Sequence, residues 1–274
     1  MKLSFQKIDC YSRCGLFYYY KYVKEIKLPP TTSIALGKAC HQAVETFYKE
    51  KQATRTNPPL EFLLDFCSDF IDREFEEGIL FTEEEEEKGR NRVYVEIKNK
   101  GISVMRAYYN HRAIDLVPQI IEGSFELKLK GIASKILSEY DGSLDDVVLE
   151  GVIDLIDSNG YLFDLKIHRR PPSSTAADQS QQLTIYALGY KISFKELPKK
   201  LILDYLIPST ERMPARLISL ETYRTEEDLE RLLRRIVRIV HGIKQGVFIP
   251  PDQYSWACRY CGYRKLGICK EYLI

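Results

Sequence analysis

The stretch Gly151-Val152-Ile153-Asp154-Leu155-Ile156-Asp157-Ser158-Asn159-Gly160-Tyr161-Leu162-Phe163-Asp164-Leu165-Lys166-Ile167 decides how this chain folds. Apolar residues fill both flanks. Between them, Asp157-Ser158-Asn159-Gly160 is a turn signal, because short polar side chains bond their own backbone and Gly accepts a positive φ. Two strands, over 147–156 and 161–167, are therefore predicted to pair as a hairpin. Asp164 and Lys166 stand two apart and share one face of the sheet, with Asp154 on the neighbouring strand.

Outward from the hairpin, the segment 119–130 alternates, with Ile121, Phe125, Leu127 and Leu129 spaced as in a strand. Three helical patterns precede it. The first starts at the candidate caps Thr31, Thr32 and Ser33 and runs to about Lys51, and the second covers 60–77. The third is opened by the acidic run 83–87, favourably placed at the positive end of the helix dipole, and reaches about Ala113. Downstream, a helix over 176–191, strands over 201–207 and 215–220, and a helix over 226–245 complete the pattern. Helices, three strands, helix, strands, helix is the order of an α/β chain whose central mixed sheet is flanked by helices. With no repeat and no Gly/Ser-rich linker, 1–274 reads as one domain.

Forty Lys plus Arg against 39 Asp plus Glu leaves a formal charge of +1, which excludes binding of nucleic acid by bulk basicity while permitting a local basic groove. No apolar run approaches the roughly 18 residues of a membrane span, and the segment 1–7 has no apolar signal core, so a cytoplasmic location is expected. Seven cysteines, unevenly spread, suit reduced thiols or metal ligands better than a disulfide framework. Cys258-x2-Cys261-x7-Cys269 supplies three thiolates, and Cys14, in a short aromatic segment at the other chain end, is the best candidate for a fourth. Four thiolates make a structural zinc site or an iron–sulfur cluster. Cys10, Cys40 and Cys67 read as structural.

The hairpin carries a chemistry. Converging carboxylates at Asp154 and Asp164 repel, and a hard divalent cation relieves them. A lysine beside that cation can orient or deprotonate a water and offset charge building on a phosphate, which is what phosphodiester hydrolysis requires. The same residues would also suit a charged hairpin facing solvent. On the first long helix Gly37, His41 and Glu45 fall on one stripe, offering an imidazole ligand and a further carboxylate. On a later one Gln182 and Tyr186 share a face, and would hold a phosphate or the attacking water, or simply pack.

In their order these motifs resemble the RecB-like nucleases of the PD-(D/E)xK superfamily, in particular the iron–sulfur branch with the CRISPR-associated RecB-like exonucleases, AddB and exonuclease V. Leu3-Ser4 leading to Cys14 and then Tyr18 to Val23 is similar to the family's N-terminal cysteine segment. Gly37-x3-His41-x3-Glu45, Gly151-x2-Asp154, Asp164-Leu165-Lys166 and Gln182-x3-Tyr186 resemble its four motifs, and 246–250 leading into the last three cysteines resembles its cluster segment. Gly15 follows Cys14 where the family usually has Pro, and seven residues rather than five separate Cys261 from Cys269.

The resemblance implies a restriction-endonuclease-like fold whose terminal segments, 1–30 and 246–274, bind a metal cluster through four cysteines around a nuclease core of 31–245. It implies His41, Asp154, Asp164 and the Leu165 carbonyl as ligands of Mn2+ or Mg2+, and Lys166 as the catalytic lysine. Gln182 and Tyr186 would position the strand or the scissile phosphate, and Cys14, Cys258, Cys261 and Cys269 would hold a [4Fe–4S] cluster, with zinc the alternative occupant. One imidazole with two carboxylates favours manganese over magnesium. The expected activity is metal-dependent hydrolysis of DNA, single-stranded and from an end, in repair, recombination or CRISPR adaptation. Lys38, His168, Arg169 and Arg170 are candidate phosphate contacts, and the aromatic segment 18–22 either packs or stacks on bases. With no Gly-x4-Gly-Lys-Ser/Thr loop, any helicase would be a separate partner, as would CRISPR adaptation proteins. The rival reading is a catalytically silent nucleic-acid-binding or assembly subunit that keeps the four-cysteine metal site.

Overall fold

The computed structural model describes residues 1–137 and 139–271; the last three residues of the expected cluster segment, 272–274, lie outside them. In chain order the elements are β1 (Lys2–Leu3), α1 (Phe5–Arg13), α2 (Gly15–Tyr18), α3 (Thr32–Thr54), α4 (Leu60–Glu77), α5 (Glu83–Lys88), α6 (Arg90–Tyr108), β2 (Pro118–Lys128), α7 (Leu129–Ile136), β3 (Val148–Asp157), β4 (Tyr161–Ile167), α8 (Gln181–Phe194), β5 (Lys200–Ile207), β6 (Arg216–Thr222), α9 (Glu226–Lys244), α10 (Trp256–Arg259) and α11 (Gly262–Lys265). The described strands make one mixed six-stranded sheet, β1-β3-β4-β5-β6, with β2 along the other side of β3. β1–β3 and β4–β5 run parallel, the remaining pairs antiparallel.

Helices cover both faces. On one, α1, α7, α8 and α9 bury Ile8, Ala133, Leu188 and Ile236 against Leu127, Leu149 and Leu162; on the other, α3, α4 and α6 bury Phe47, Ile71 and Met105 against Leu155, Phe163 and Leu165. α9 shows why such helices form here. Thr225 and Asp228 close a capping box, acidic residues fill the first turn, His241 and Lys244 the last, and Leu229, Leu232, Leu233 and Ile236 make the buried stripe. Among the described residues no helix is long and apolar enough to cross a membrane.

The structure differs from expectation in four places. The single helix expected over 83–113 is broken at Gly89, whose φ of 83° no helix accepts, and it ends in a π-helical turn, Tyr109–Ala113. The strand expected over 119–130 stops at Lys128, where Leu129 and Ala133 turn inward on α7. The helix expected from Ala176 starts at Gln181, capped by Ser180. The N-terminal segment, for which no element is predicted, forms α1, with Ser4 as its cap and Ile8 in the core.

Candidate active site

The hairpin turns where predicted: the Asp157 carboxylate accepts the Asn159 and Tyr161 N–H groups at 2.9 Å, and Gly160 sits at φ 79°. Beyond the turn β3 and β4 pair only at Leu155↔Phe163 and Ile156↔Leu162. One rung further this register sets Asp154 opposite Asp164, and there the strands part. A side chain replaces the missing rung, Asp154 Oδ2 accepting the Leu165 N–H at 3.1 Å. The gap lets groups from both helical layers meet.

From α3, where Thr31 caps the helix by accepting the Ile34 N–H, His41 sets Nδ1 3.3 Å from Asp154 Oδ2. Glu45, one turn on, accepts from Gln42 Nε2 at 2.9 Å and from Lys49. From α8, Gln182 Oε1 accepts the Lys166 ammonium at 2.8 Å while its Nε2 donates to Tyr186 Oη at 2.6 Å. The first turn of α8 is itself held by the buried Arg224, which donates to Ala177 O, Ser180 O and Thr184 Oγ1 at 2.8 to 3.0 Å. Lys166 also donates to Asp164 Oδ1 at 2.9 Å. Asp164 is wholly buried, and its Oδ2, though 2.7 Å from the same ammonium, is out of line with it and has no hydrogen-bond partner. Burial pushes the Asp164 carboxyl up against the pull of Lys166, with Asp154 adding to the rise. Burial alone would lower the Lys166 pKa, but Asp164 and Asp154 reverse it, so the side chain is an ammonium.

His41, Glu45, Asp154, Asp164 and Leu165 line one small pocket of about 20 Å³, room for a single water-sized species. Its donors suit a divalent cation: a buried carboxylate with an orphaned oxygen, a second carboxylate and an imidazole. Glu122 lines it too, unanticipated from the sequence. Ile121 pairs with Leu155 and Gly123 with Ile153, which sets Glu122 across from Asp154, at φ 50°. A non-glycine residue there costs about 1–2 kcal/mol, a strain that collects at functional sites. Burial, then Asp154 and Glu45, pushes the Glu122 carboxyl up to about 7. The sequence carries no signal for it, because the adjacent pair Ile120-Ile121 is what any strand covered on both faces presents. Of the candidate phosphate contacts, Lys38 donates to both carboxylate oxygens of Glu74 at 3.0 Å, Arg169 stands 4.0 Å from Glu85, His168 packs edge-on to Tyr205, and Arg170 is exposed.

The two chain ends meet. Gly15 donates its N–H to Ile249 O at 2.8 Å, and a Cβ at Gly15 would lie 2.5 Å from Ile249 N, so neither proline nor any larger residue fits. Tyr11 Oη donates to Val247 O and Tyr263 Oη to Ile26 O, both at 2.6 Å. The aromatic segment packs on this seam, Tyr18 stacked over Phe248 and Phe17 edge-on to Tyr263. Cys14, Cys258, Cys261 and Cys269 line one cavity beside it. Burial pushes the Cys14, Cys258 and Cys261 thiols up, and neighbouring cysteines add to the rise. As the side chains stand, no group of three or more His, Cys, Asp or Glu among the described residues is arranged to hold a metal ion. As donors, four thiols facing one cavity suit a thiophilic metal or cluster. Cys40 and Cys67 are wholly buried against each other, away from this set.

No curated protein matches the chain. Among solved structures, the crystal structure of SSO0001 aligns over 93% of each chain at 15% identity, with a TM-score of 0.33. The family model of the PD-(D/E)XK nuclease superfamily runs from residue 2 to residue 270, through the parted hairpin to the last cysteine, and the chain belongs to that superfamily.

Proposed function

We propose that the chain is a divalent-cation-dependent deoxyribonuclease that degrades single-stranded DNA from an end, working in the cytoplasm in repair, recombination or CRISPR adaptation. Membership of the superfamily implies a nuclease acting on nucleic acid. The observation that supports the finer reading is the set at the parted hairpin: Asp154 across from Asp164, His41 on Asp154, and Lys166 between Asp164 and Gln182. His41, Asp154, Asp164 and the Leu165 carbonyl would hold Mn2+ or Mg2+, which supplies charge neutralisation at the phosphate and a more acidic water. The oxygen of a water bonds to phosphorus as that water gives up a proton to solvent, the bond to the leaving sugar oxygen breaks, and that oxygen takes a proton from solvent. Lys166, fixed by two hydrogen bonds and charged, holds the water in place and offsets charge gathering on the phosphate. Gln182 keeps the ammonium aimed, and Tyr186 keeps Gln182 from turning. Cys14, Cys258, Cys261 and Cys269 would hold a [4Fe–4S] cluster that fastens the chain ends; the shared cavity and the uniform sulfur donors support this. A separate helicase or CRISPR adaptation proteins would supply any motor or targeting.

The test incubates end-labelled single-stranded DNA and manganese with anaerobically purified protein, beside Lys166→Ala. Cleavage by the wild type alone, lost by about 10² or more in the variant, is expected. Binding without cutting by both would favour the silent subunit, and equal cutting by both would remove Lys166 from the chemistry.

A further inference from the structure

A second concavity lies between α1, α9 and the segment 249–251, with a volume of about 490 Å³ and no residue in common with the pocket at the hairpin. Three guanidiniums face it: Arg13, Arg235 and Arg238. Their neighbours on α9 are neutralised, Arg231 by Glu227 at 3.1 Å and Arg234 by Glu230 at 2.6 Å. Arg235 and Arg238 are exposed, stand three apart on one helical face, and make no ion pair or hydrogen bond among the described residues. Opposite them Arg13 pairs with Asp9 and lies 5.6 Å from the ring of Trp256, the chain's single tryptophan, which is 60% exposed. Tyr11, Ile239, Ile249 and Pro250 supply apolar walls.

In a chain of net charge +1, three guanidiniums against one carboxylate mark a site for an anion. Guanidinium forks match phosphate oxygens, and apolar walls with an exposed indole match sugars and base faces. A lone phosphate would occupy one fork and leave the others idle. An acidic peptide would satisfy the forks but leave the indole unused. A run of phosphates carrying unpaired bases uses all of it, whereas in a duplex the bases are already stacked. We propose that this cleft is a nucleic-acid exosite: Arg235, Arg238 and Arg13 grip the sugar-phosphate backbone of a single strand, and Trp256 stacks one of its bases. It deepens the nuclease reading, from which it takes only the class of polymer, and it would hold a strand beyond the scissile bond.

The test titrates holoprotein, without added divalent cation, with a fluorescently labelled thirty-nucleotide single strand across a range of salt, beside Arg235→Ala/Arg238→Ala and Trp256→Leu. For the arginine pair the expected Kd rises roughly ten-fold near 0.1 M salt, and the slope of log K on log salt shrinks by about 1.4, since each single-strand phosphate contact contributes about 0.7. The strand quenches Trp256 emission in the wild type, and Trp256→Leu weakens the single strand more than a duplex of equal length. Circular dichroism checks that these surface variants fold. An unchanged Kd and salt slope, an indole indifferent to the strand, or an equal loss of affinity for poly-glutamate would each overturn the proposal. Manganese-dependent cutting with variant-insensitive binding removes the exosite and keeps the nuclease; variant-sensitive binding without any cutting does the reverse.

Discussion

The Phe125 ring is clamped between two glycines, and the clamp sets how close α8 comes to β3. A Cβ at Gly151 on β3 would lie 2.4 Å from Phe125 Cζ, and one at Gly189 on α8 would lie 2.7 Å from Phe125 Cδ1 and Cε1. Carbon contacts need about 3.5–4.0 Å, so each methyl overlaps the ring by about 1 Å. The ring is only 8% exposed and cannot swing clear. Overpacking of this kind costs about 1–3 kcal/mol. Gly151→Ala should lose the full amount, and Gly189→Ala about 1 kcal/mol less, because alanine regains that much helix propensity. A loss of about 2 kcal/mol corresponds to a drop of roughly 4–8 °C in Tm. The displacement also reaches the site, since α8 carries Gln182, whose 2.8 Å contact aims Lys166, and a shift of about 1 Å there can cost about 10² in rate. Urea unfolding followed by circular dichroism, with cleavage measured in parallel, gives both quantities. Phe125→Leu, destabilising alone, should recover at least about 1 kcal/mol in the Gly151→Ala background. The clamp is wrong if Gly151→Ala stays within about 0.5 kcal/mol of the wild type, or if Phe125→Leu adds to its loss.

Glu122→Gly should stabilise the fold by about 1 kcal/mol by relieving the φ of 50°, and Glu122→Gln should not; both should lower manganese-dependent cutting, and a Gly variant that unfolds earlier in urea refutes the strain. Cys14→Ser should lose bound iron and sulfide measured per chain while Cys67→Ser retains them, and equal retention in both would remove Cys14 from the metal site. Rates at saturating manganese should exceed those at saturating magnesium, as an imidazole among the ligands favours the softer ion; equal or faster turnover in magnesium counts against His41 as a ligand.

The hairpin could be read from the sequence because its information is local. A turn with Asp and Gly at fixed places sets the register, and the register alone puts Asp154 across from Asp164. That Cys14 would share a cavity with Cys258, Cys261 and Cys269 could be read for a related reason: thiols three residues apart near a further one have few uses except as a set. Glu122 could not be read, because its position depends on a departure from the rule that makes strands visible. In β2, Ile120 packs in one core and Ile121 in the other, while Phe125, an even number of residues beyond Ile121, returns to the first. In β3, Ile153 and Ile156 share one core and Leu155 takes the other. Alternation thus fails at Glu122 and at Asp154, which face each other across the ladder.

These departures bear on chemistry rather than being flaws in the sheet. In an unbroken sheet Asp154 and Asp164 would present their carboxylates to the α8 layer alone, and His41, on α3, would be screened from them by the strands. By parting after Leu155↔Phe163 and twisting at Asp154, β3 opens the sheet just far enough for an imidazole from one layer to reach Asp154 while a glutamine from the other holds the lysine bound to Asp164. The stabilisation lost with the missing rungs is limited because Asp154 itself satisfies the Leu165 N–H. Asp154 therefore does two jobs with one oxygen, Oδ2, which also faces His41. Asparagine keeps an acceptor for the Leu165 N–H, and alanine does not. Asp154→Asn should thus abolish cutting while unfolding within about 1 kcal/mol of the wild type, whereas Asp154→Ala should also lose about 1–3 kcal/mol by stranding that N–H. If the two variants unfold at the same urea concentration, the side chain is not what holds the parted strands together.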